Sequence, residues 1–359
     1  MSYLHWSKTR PIARYHLAAS GVPMAGPATF DTTLPAITLT SKGPYGDPAL
    51  LEALASRYGV DTCQVLPVPG TSMANFVSIA AGGETGHVVA MESPVYDPIS
   101  LSSQFLTMTT IPLSRSPEAG FRVDEDELVQ ALAKGAKLVV VTNLHNPSGQ
   151  YIDAKTITHM ANRCSETGAT LLVDEVYLDA VYIAGGPSWW SAVNLANNIV
   201  ITNSLTKVYG LSGLRCGWIV GPSDILSRAR EIVNLLHVDL PTPTSELALR
   251  ALKQIPELEK RHLAYHEAGL PVYRQWANGE RRIRSYPNFG ALFECFQLPP
   301  GVTSDQLEAR LVTKYETQVV PGRFFGIPDH VRVSTTPEPA DLAEGLARIS
   351  QALDDIVGG

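Results

Sequence analysis

Apolar and polar positions change their rhythm along the 359-residue chain. Through the middle, short runs rich in valine and isoleucine alternate with longer stretches of helical period. The strand candidates are "CQVLPV" (63–68), "HVVAME" (87–92), "AKLVVVTN" (136–143), "ATLLVDE" (169–175), "NIVITNS" (198–204) and "CGWIVG" (216–221). Most are near-continuous apolar runs, as strands covered on both faces require. Between them lie segments such as "DEDELVQALAKG", with acids at the start and glycine after the end, the marks of a helix. This alternation predicts an α/β fold: a mostly parallel central sheet with helices on both faces.

After about residue 250 the texture changes. The stretch "ELALRALKQIPELEKRHLAYHEAGLPVYRQWANGE" predicts helix, interrupted near Pro256 and Pro271. It leads into "IRSYPNFGALFECFQLP", which alternates like exposed strands. Then come a helix at "SDQLEARLVTKY", a strand at "HVRVSTT" and a last helix near 340–356. We therefore expect a large domain over 41–250 and a smaller α+β domain over 251–359. The N-terminal segment, 1–40, is expected to pack with the smaller one.

Composition removes several classes of function. The chain is 45% hydrophobic and 18% charged, with a net charge of −7 and no basic run interleaved with aromatics, so a nucleic-acid partner is not expected. Cys63, Cys164, Cys216 and Cys295 are too widely spaced for a zinc cluster or a disulfide framework, and no metal is expected. The start, "MSYLHWSKTRPIARYH", lacks the apolar run of a signal peptide, and no segment approaches eighteen uninterrupted apolar residues. The expectation is a cytoplasmic protein without a membrane partner.

Open sheets of this class hold ligands at the carboxyl ends of their strands, and polar residues cluster at the predicted ends. Gly70, Thr71 and Ser72 stand between a strand and a helix, either as an ordinary turn or as a helix start whose free N–H groups cup a phosphate. Tyr96 follows another strand end, as a packing residue or one that stacks on a flat ring. Asn146, in "NPSG", is a turn residue or an amide donor into the cleft. Asp174 ends an apolar strand, with Tyr177 beyond, and a carboxylate there is costly unless solvated, paired or used. In "NSLTKVYGLSGLRCGW", Ser204, Lys207 and Arg215 share a glycine-spaced loop. Arg332 sits inside an apolar strand, where an arginine is rarely buried without an anion.

One cofactor uses all of these parts. Pyridoxal phosphate needs a lysine amine for its aldehyde, which Lys207 offers as a Schiff-base lysine, and a carboxylate at its pyridine nitrogen, which Asp174 offers. Its phosphate suits the Gly70-Thr71-Ser72 helix start with Ser204 and Arg215 as donors. Tyr96 would stack on the ring, while Asn146 and Tyr177 would meet its phenolic oxygen. Arg332 would grip a substrate carboxylate with a bidentate fork.

The chain resembles the class I/II aminotransferases, within the fold-type I pyridoxal-phosphate enzymes. The resemblance runs from about residue 15 to 350 and is carried by "NPSG", "VDEVY", "SLTKVYGLSGLRCGW" and "VRVST". It implies that Lys207 holds the cofactor and shuttles a proton, that Asp174 pairs with the ring nitrogen, and that Arg215 pairs with the phosphate. It also implies a homodimer in which Tyr45, in "GPYGDPALLEALASRYG", reaches the neighbour's phosphate, and a segment "AASGVP" that closes over substrate with Gly21 beside it. The chain is short for the family, which suggests trimmed N-terminal and small-domain elements.

The implied reaction moves an amino group between an L-amino acid and a 2-oxo acid in ping-pong fashion. A carbon–sulfur β-lyase on the same scaffold is the alternative, and a non-catalytic cofactor-binding protein a more distant one. No GxGxxG follows a strand, so nothing points to a nicotinamide enzyme. Arg323 and His237 are further candidates for substrate contact, each with a structural alternative. Which amino acid is the donor stays open.

Overall fold

The computed structural model describes residues 2–24, 26, 40–83, 86–286 and 288–358. Within the N-terminal segment expected to pack with the smaller domain, residues 27–39 lie outside this set.

The dominant sheet has seven strands. In spatial order they are Val65–Val68, Gly217–Val220, Ile199–Ser204, Thr170–Asp174, Ala136–Thr142, Val88–Ser93 and Thr109–Ser114. Gly217–Val220 runs antiparallel to both of its neighbours; the remaining pairings are parallel. Alternate side chains feed two separate cores, as the two-residue strand period demands. Leu171, Val173, Ile199 and Ile201 join the core beneath the helices Pro48–Tyr58, Glu125–Ala133 and Ala154–Glu166. Leu172, Val200 and Ile219 join the other, beneath Thr71–Gly82 and Ser223–Leu236. Both faces are thus covered, which is why the sequence reads as continuous apolar runs.

The reversed strand has a functional effect. Because Gly217–Val220 pairs antiparallel with Ile199–Ser204, with Ser204 opposite Gly217, the chain between them leaves and re-enters at one end of the sheet. Lys207 and Arg215 therefore stand together, at the carboxyl end of the parallel strands.

A four-stranded sheet orders Val320–Pro321, His330–Ser334, Phe293–Gln297 and Arg284–Ser285, all antiparallel. Tyr15–His16 pairs in parallel with Thr317–Gln318. A third core fills this region, where Leu17, Phe296, Val331, Val333, Leu346 and Ile349 meet.

Two local expectations need correction. Phe293–Gln297 is buried rather than exposed: Glu294 is only 3% accessible, because the apolar residues around it fill the core. The interruption expected near Pro256 is present: the helix Thr242–Lys253 ends, and the next, Ile255–Gly279, takes Pro256 into its first turn, which has no use for the missing N–H. Pro271 lies inside that helix without ending it. The edge strand Thr109–Ser114 escaped the sequence reading, because one face is exposed and Pro112 sits in its middle.

Candidate active site

Five strands that run in one direction, Val65–Val68, Val88–Ser93, Ala136–Thr142, Thr170–Asp174 and Ile199–Ser204, deliver polar residues to one end of the large sheet. There a cavity of about 450 Å³ is bordered by Thr71, Ser72, Tyr96, Asn146, Asp174, Tyr177, Lys207 and Arg215. Separate stretches of sequence thus converge on one space.

Asp174 is 4% accessible. Its Oδ2 accepts from Asn75 Nδ2 at 2.7 Å and its Oδ1 from the Val176 N–H at 3.0 Å. Asn75 is itself oriented by Thr202, whose hydroxyl donates to Asn75 Oδ1 at 2.6 Å. Burial pushes the Asp174 carboxyl up to about 6, against these hydrogen bonds and the nearby Lys207 charge. The group is thus held in place by neutral donors and responds to any cation brought beside it. Lys207 is half-buried, and its Nζ donates to Ser20 Oγ at 2.9 Å.

Glycine is required where the first helix of the sheet begins. Gly70 has φ +85°, and a Cβ there would lie 2.4 Å from Arg215 Nη2. Gly217 packs against Gly70, where a Cβ would come within 2.5 Å of backbone. Arg215, itself at φ +50°, lays its guanidinium along this surface and donates from Nη2 to the Pro69 carbonyl at 3.2 Å. Beside it, Thr71 Oγ1 is buried with no hydrogen-bond partner among the described residues. A helix N-terminus, an arginine and an unsatisfied hydroxyl form a cradle of the right chemistry for a phosphate.

Arg332 does not itself border the cavity: it is buried behind Asn146 and donates from Nη1 to Asn146 Oδ1 at 2.7 Å. Burial together with the Tyr3 and Tyr177 phenols pushes Tyr96 well above its ordinary range.

The family model for aminotransferase class I and II matches residues 37–349. The chain belongs to that family. An aspartate aminotransferase of Streptomyces avermitilis is 25% identical, over 86% of this chain and 80% of its own. Capreomycidine synthase of Streptomyces vinaceus is 29% identical over 86% and 79%. Among solved structures, a PLP-dependent aminotransferase from Streptococcus suis superposes with a TM-score of 0.88 at 22% identity, covering 98% of this chain and 96% of that one. The central fold is accordingly the fold-type I architecture.

Other residues of this class I/II aminotransferase singled out in the sequence lie beside or outside the cavity. Gly21 packs against the Lys207 main chain, where a Cβ would meet the Lys207 carbonyl at 2.7 Å, and Val22 N donates to that carbonyl. Ser204 is buried, and its Oγ accepts from the Thr206 N–H at 3.2 Å; Thr206 borders the cavity instead. Tyr45 is 39% accessible, with φ +63°, beneath the Arg230 guanidinium. Arg323 forms ion pairs with Asp305 and Glu308, and neither it nor His237 borders the cavity.

The sequence reading named the segment "AASGVP" without singling out Ser20 within it, and passed over Tyr3, Leu4, Lys8 and Asn75. Asn75 carried a signal: it stands one turn after Thr71 and one turn before Ser78, a polar row on a helix whose other buried residues are apolar. Tyr3, Leu4 and Lys8 belong to the short helix Tyr3–Thr9, and nothing local ties them to the sheet.

Proposed function

We propose that this enzyme transfers an amino group between an L-amino acid and a 2-oxo acid, using pyridoxal phosphate held by Lys207. The observation that carries the reading is the convergence of Lys207, Asp174, Asn146, Tyr177 and Arg215 on one cavity. The fit to the cofactor is supported by the glycine-walled cradle under Arg215 and, among the described residues, by the unpartnered Thr71 Oγ1 and a buried carboxylate with no cation bonded to it.

In this reading Thr71, Ser72, the Gly70 backbone and Arg215 would hold the phosphate, and Ser204, behind them, would serve it by fixing the Lys207 loop through the Thr206 N–H. Asp174 holds the ring nitrogen, Asn146 and Tyr177 the ring oxygen, and Tyr96 the ring face. Bound there, pyridoxal phosphate supplies an aldehyde for an amine and an electron-accepting ring. Asp174 sets the charge at the far side of that ring, and desolvation strengthens the pairing. Lys207 Nζ would be the base placed to take the proton from the substrate Cα. Arg332 orients the substrate through its carboxylate, so that the Cα–H faces Lys207. Tyr45 serves the neighbouring site in a homodimer, and Gly21 lets the "AASGVP" segment lie against Lys207.

The test is a visible absorbance spectrum of the purified protein, before and after a panel of L-amino acids. Bleaching by one amino acid, reversed by a 2-oxo acid, supports transfer and names the donor. Lys207→Ala should lose turnover entirely; full transamination by that variant would sink the assignment.

The second reading is β-elimination on the same scaffold, which would use Lys207, Asp174 and Arg332 in the same roles. Pyruvate and ammonia released from a cysteine conjugate without any acceptor oxo acid would favour it.

A further inference from the structure

The helix Tyr3–Thr9 is fastened to both parts of the molecule. The Tyr3 N–H donates to Asp97 Oδ2 at 2.8 Å, beside the large sheet. Trp6 Nε1 donates to Glu308 Oε1 at 3.1 Å, on the helix Ser304–Tyr315, and its ring packs 5.0 Å from Phe324. These ties press the buried Tyr3 side chain against Arg332, whose Nη2 donates to the Tyr3 hydroxyl at 2.9 Å.

Arg332 is thereby a fully buried cation with neutral partners. Nη1 goes to Asn146, Nη2 to Tyr3, and Nε has no partner among the described residues. No carboxylate among the described residues pairs with it. A buried guanidinium lacking a counter-charge is costly, so this pocket is built for an anion from outside. The Tyr3 hydroxyl also meets Ser20, whose Oγ accepts from Lys207 Nζ. Arg332 and Lys207 correspond to the two charged ends of an α-amino acid, and two hydroxyls bridge them. Burial pushes the Tyr3 phenol up, but the Arg332 and Lys207 charges outweigh it and bring the group below its ordinary value.

We infer that Tyr3 is a substrate-contacting residue whose hydroxyl donates a hydrogen bond to the α-carboxylate gripped by Arg332. The inference rests on the reading of Arg332 as the carboxylate partner. A phenol that accepts from Arg332 keeps its own proton for the carboxylate. Docking Tyr3 also sets Leu4 and Lys8, one turn apart, on the cavity wall, so the same helix shapes the space for the substrate side chain.

The test compares wild-type and Tyr3→Phe holoenzymes. The variant keeps the ring that packs 5.5 Å from Tyr96 and 5.6 Å from Phe324 and loses one oxygen. Calorimetry gives the dissociation constant for acetate as an inert carboxylate. Spectral titration follows the half-reaction with an L-amino acid and with the primary amine of the same skeleton. Loss of a hydrogen bond to a charged partner should weaken acetate binding and raise KM for the amino acid about ten-fold or more. The amine, which has no carboxylate, should react as before. Unchanged acetate affinity, or an equal loss for amine and amino acid, would overturn the inference. Trp6→Phe cuts the tie to Glu308 and leaves the hydroxyl; it should keep acetate affinity, and an equal weakening there would assign the effect to helix docking and also overturn it. Failure of the underlying reading is distinct: the wild type itself would then show no preference for the amino acid over the amine.

Discussion

Asp174 carries its carboxylate to a place where ionisation is unfavourable until a cation arrives. Its folded-state value, about 6, lies above the ordinary 3.8. Its contribution to cofactor-free stability is therefore full below pH 4 and declines as pH rises to 6. Asp174→Asn abolishes that dependence. At roughly 1.4 kcal/mol per pKa unit, the stability gap should move by about 2 kcal/mol in the variant's favour between pH 4 and pH 7. Urea unfolding of both cofactor-free proteins across that range checks it, and added pyridoxal phosphate should stabilise the wild type far more than the variant. Gly70→Ala should weaken cofactor affinity at least ten-fold, because its methyl group displaces the Arg215 guanidinium and φ +85° disfavours any side chain; fluorescence titration measures it. Asp174 was legible in the sequence because it ends an apolar strand, and Lys207 because it stands on a glycine-spaced loop directly after one. Tyr3 and Ser20 were not, because their partners lie 329 and 187 residues away.

At the scale of elements, strands buried on both faces announced themselves, and those with an exposed face or only two residues did not. Thr109–Ser114 and Thr317–Gln318 are set by their neighbours more than by their own pattern. The long helix Ile255–Gly279 shows the same dependence on context. Gly269 lets it close on the segment following the Arg332 strand, where a Cβ would come within 1.8 Å of the Thr335 carbonyl. Gly269→Ala should destabilise the protein by about 1–3 kcal/mol through overpacking. It should also raise KM for the amino acid more than it weakens cofactor binding, since the strand bearing Arg332 is displaced while the large sheet is not. Chemical denaturation and steady-state kinetics read the two effects separately.

For the whole molecule, the proposed homodimer has a surface to suit it. Leu235, Leu236 and Val238 are 87%, 48% and 60% accessible at the end of the helix that carries Arg230 over Tyr45. Apolar residues this exposed in one neighbourhood are a contact surface more often than a solvated one. Leu235→Glu should shift the protein toward monomer in sedimentation velocity and lower its cofactor affinity, because Tyr45 would no longer reach the neighbour's phosphate. The proposed division near residue 250 has a further implication, through the helix Tyr3–Thr9. During synthesis that helix emerges long before its partners: Arg332 follows Tyr3 by 329 residues and Glu308 follows Trp6 by 302. The segment must wait, undocked, while those residues are made. A nascent chain can complete its large sheet before this earlier piece finds its place, so competence for substrate comes only after the sheet that holds the cavity.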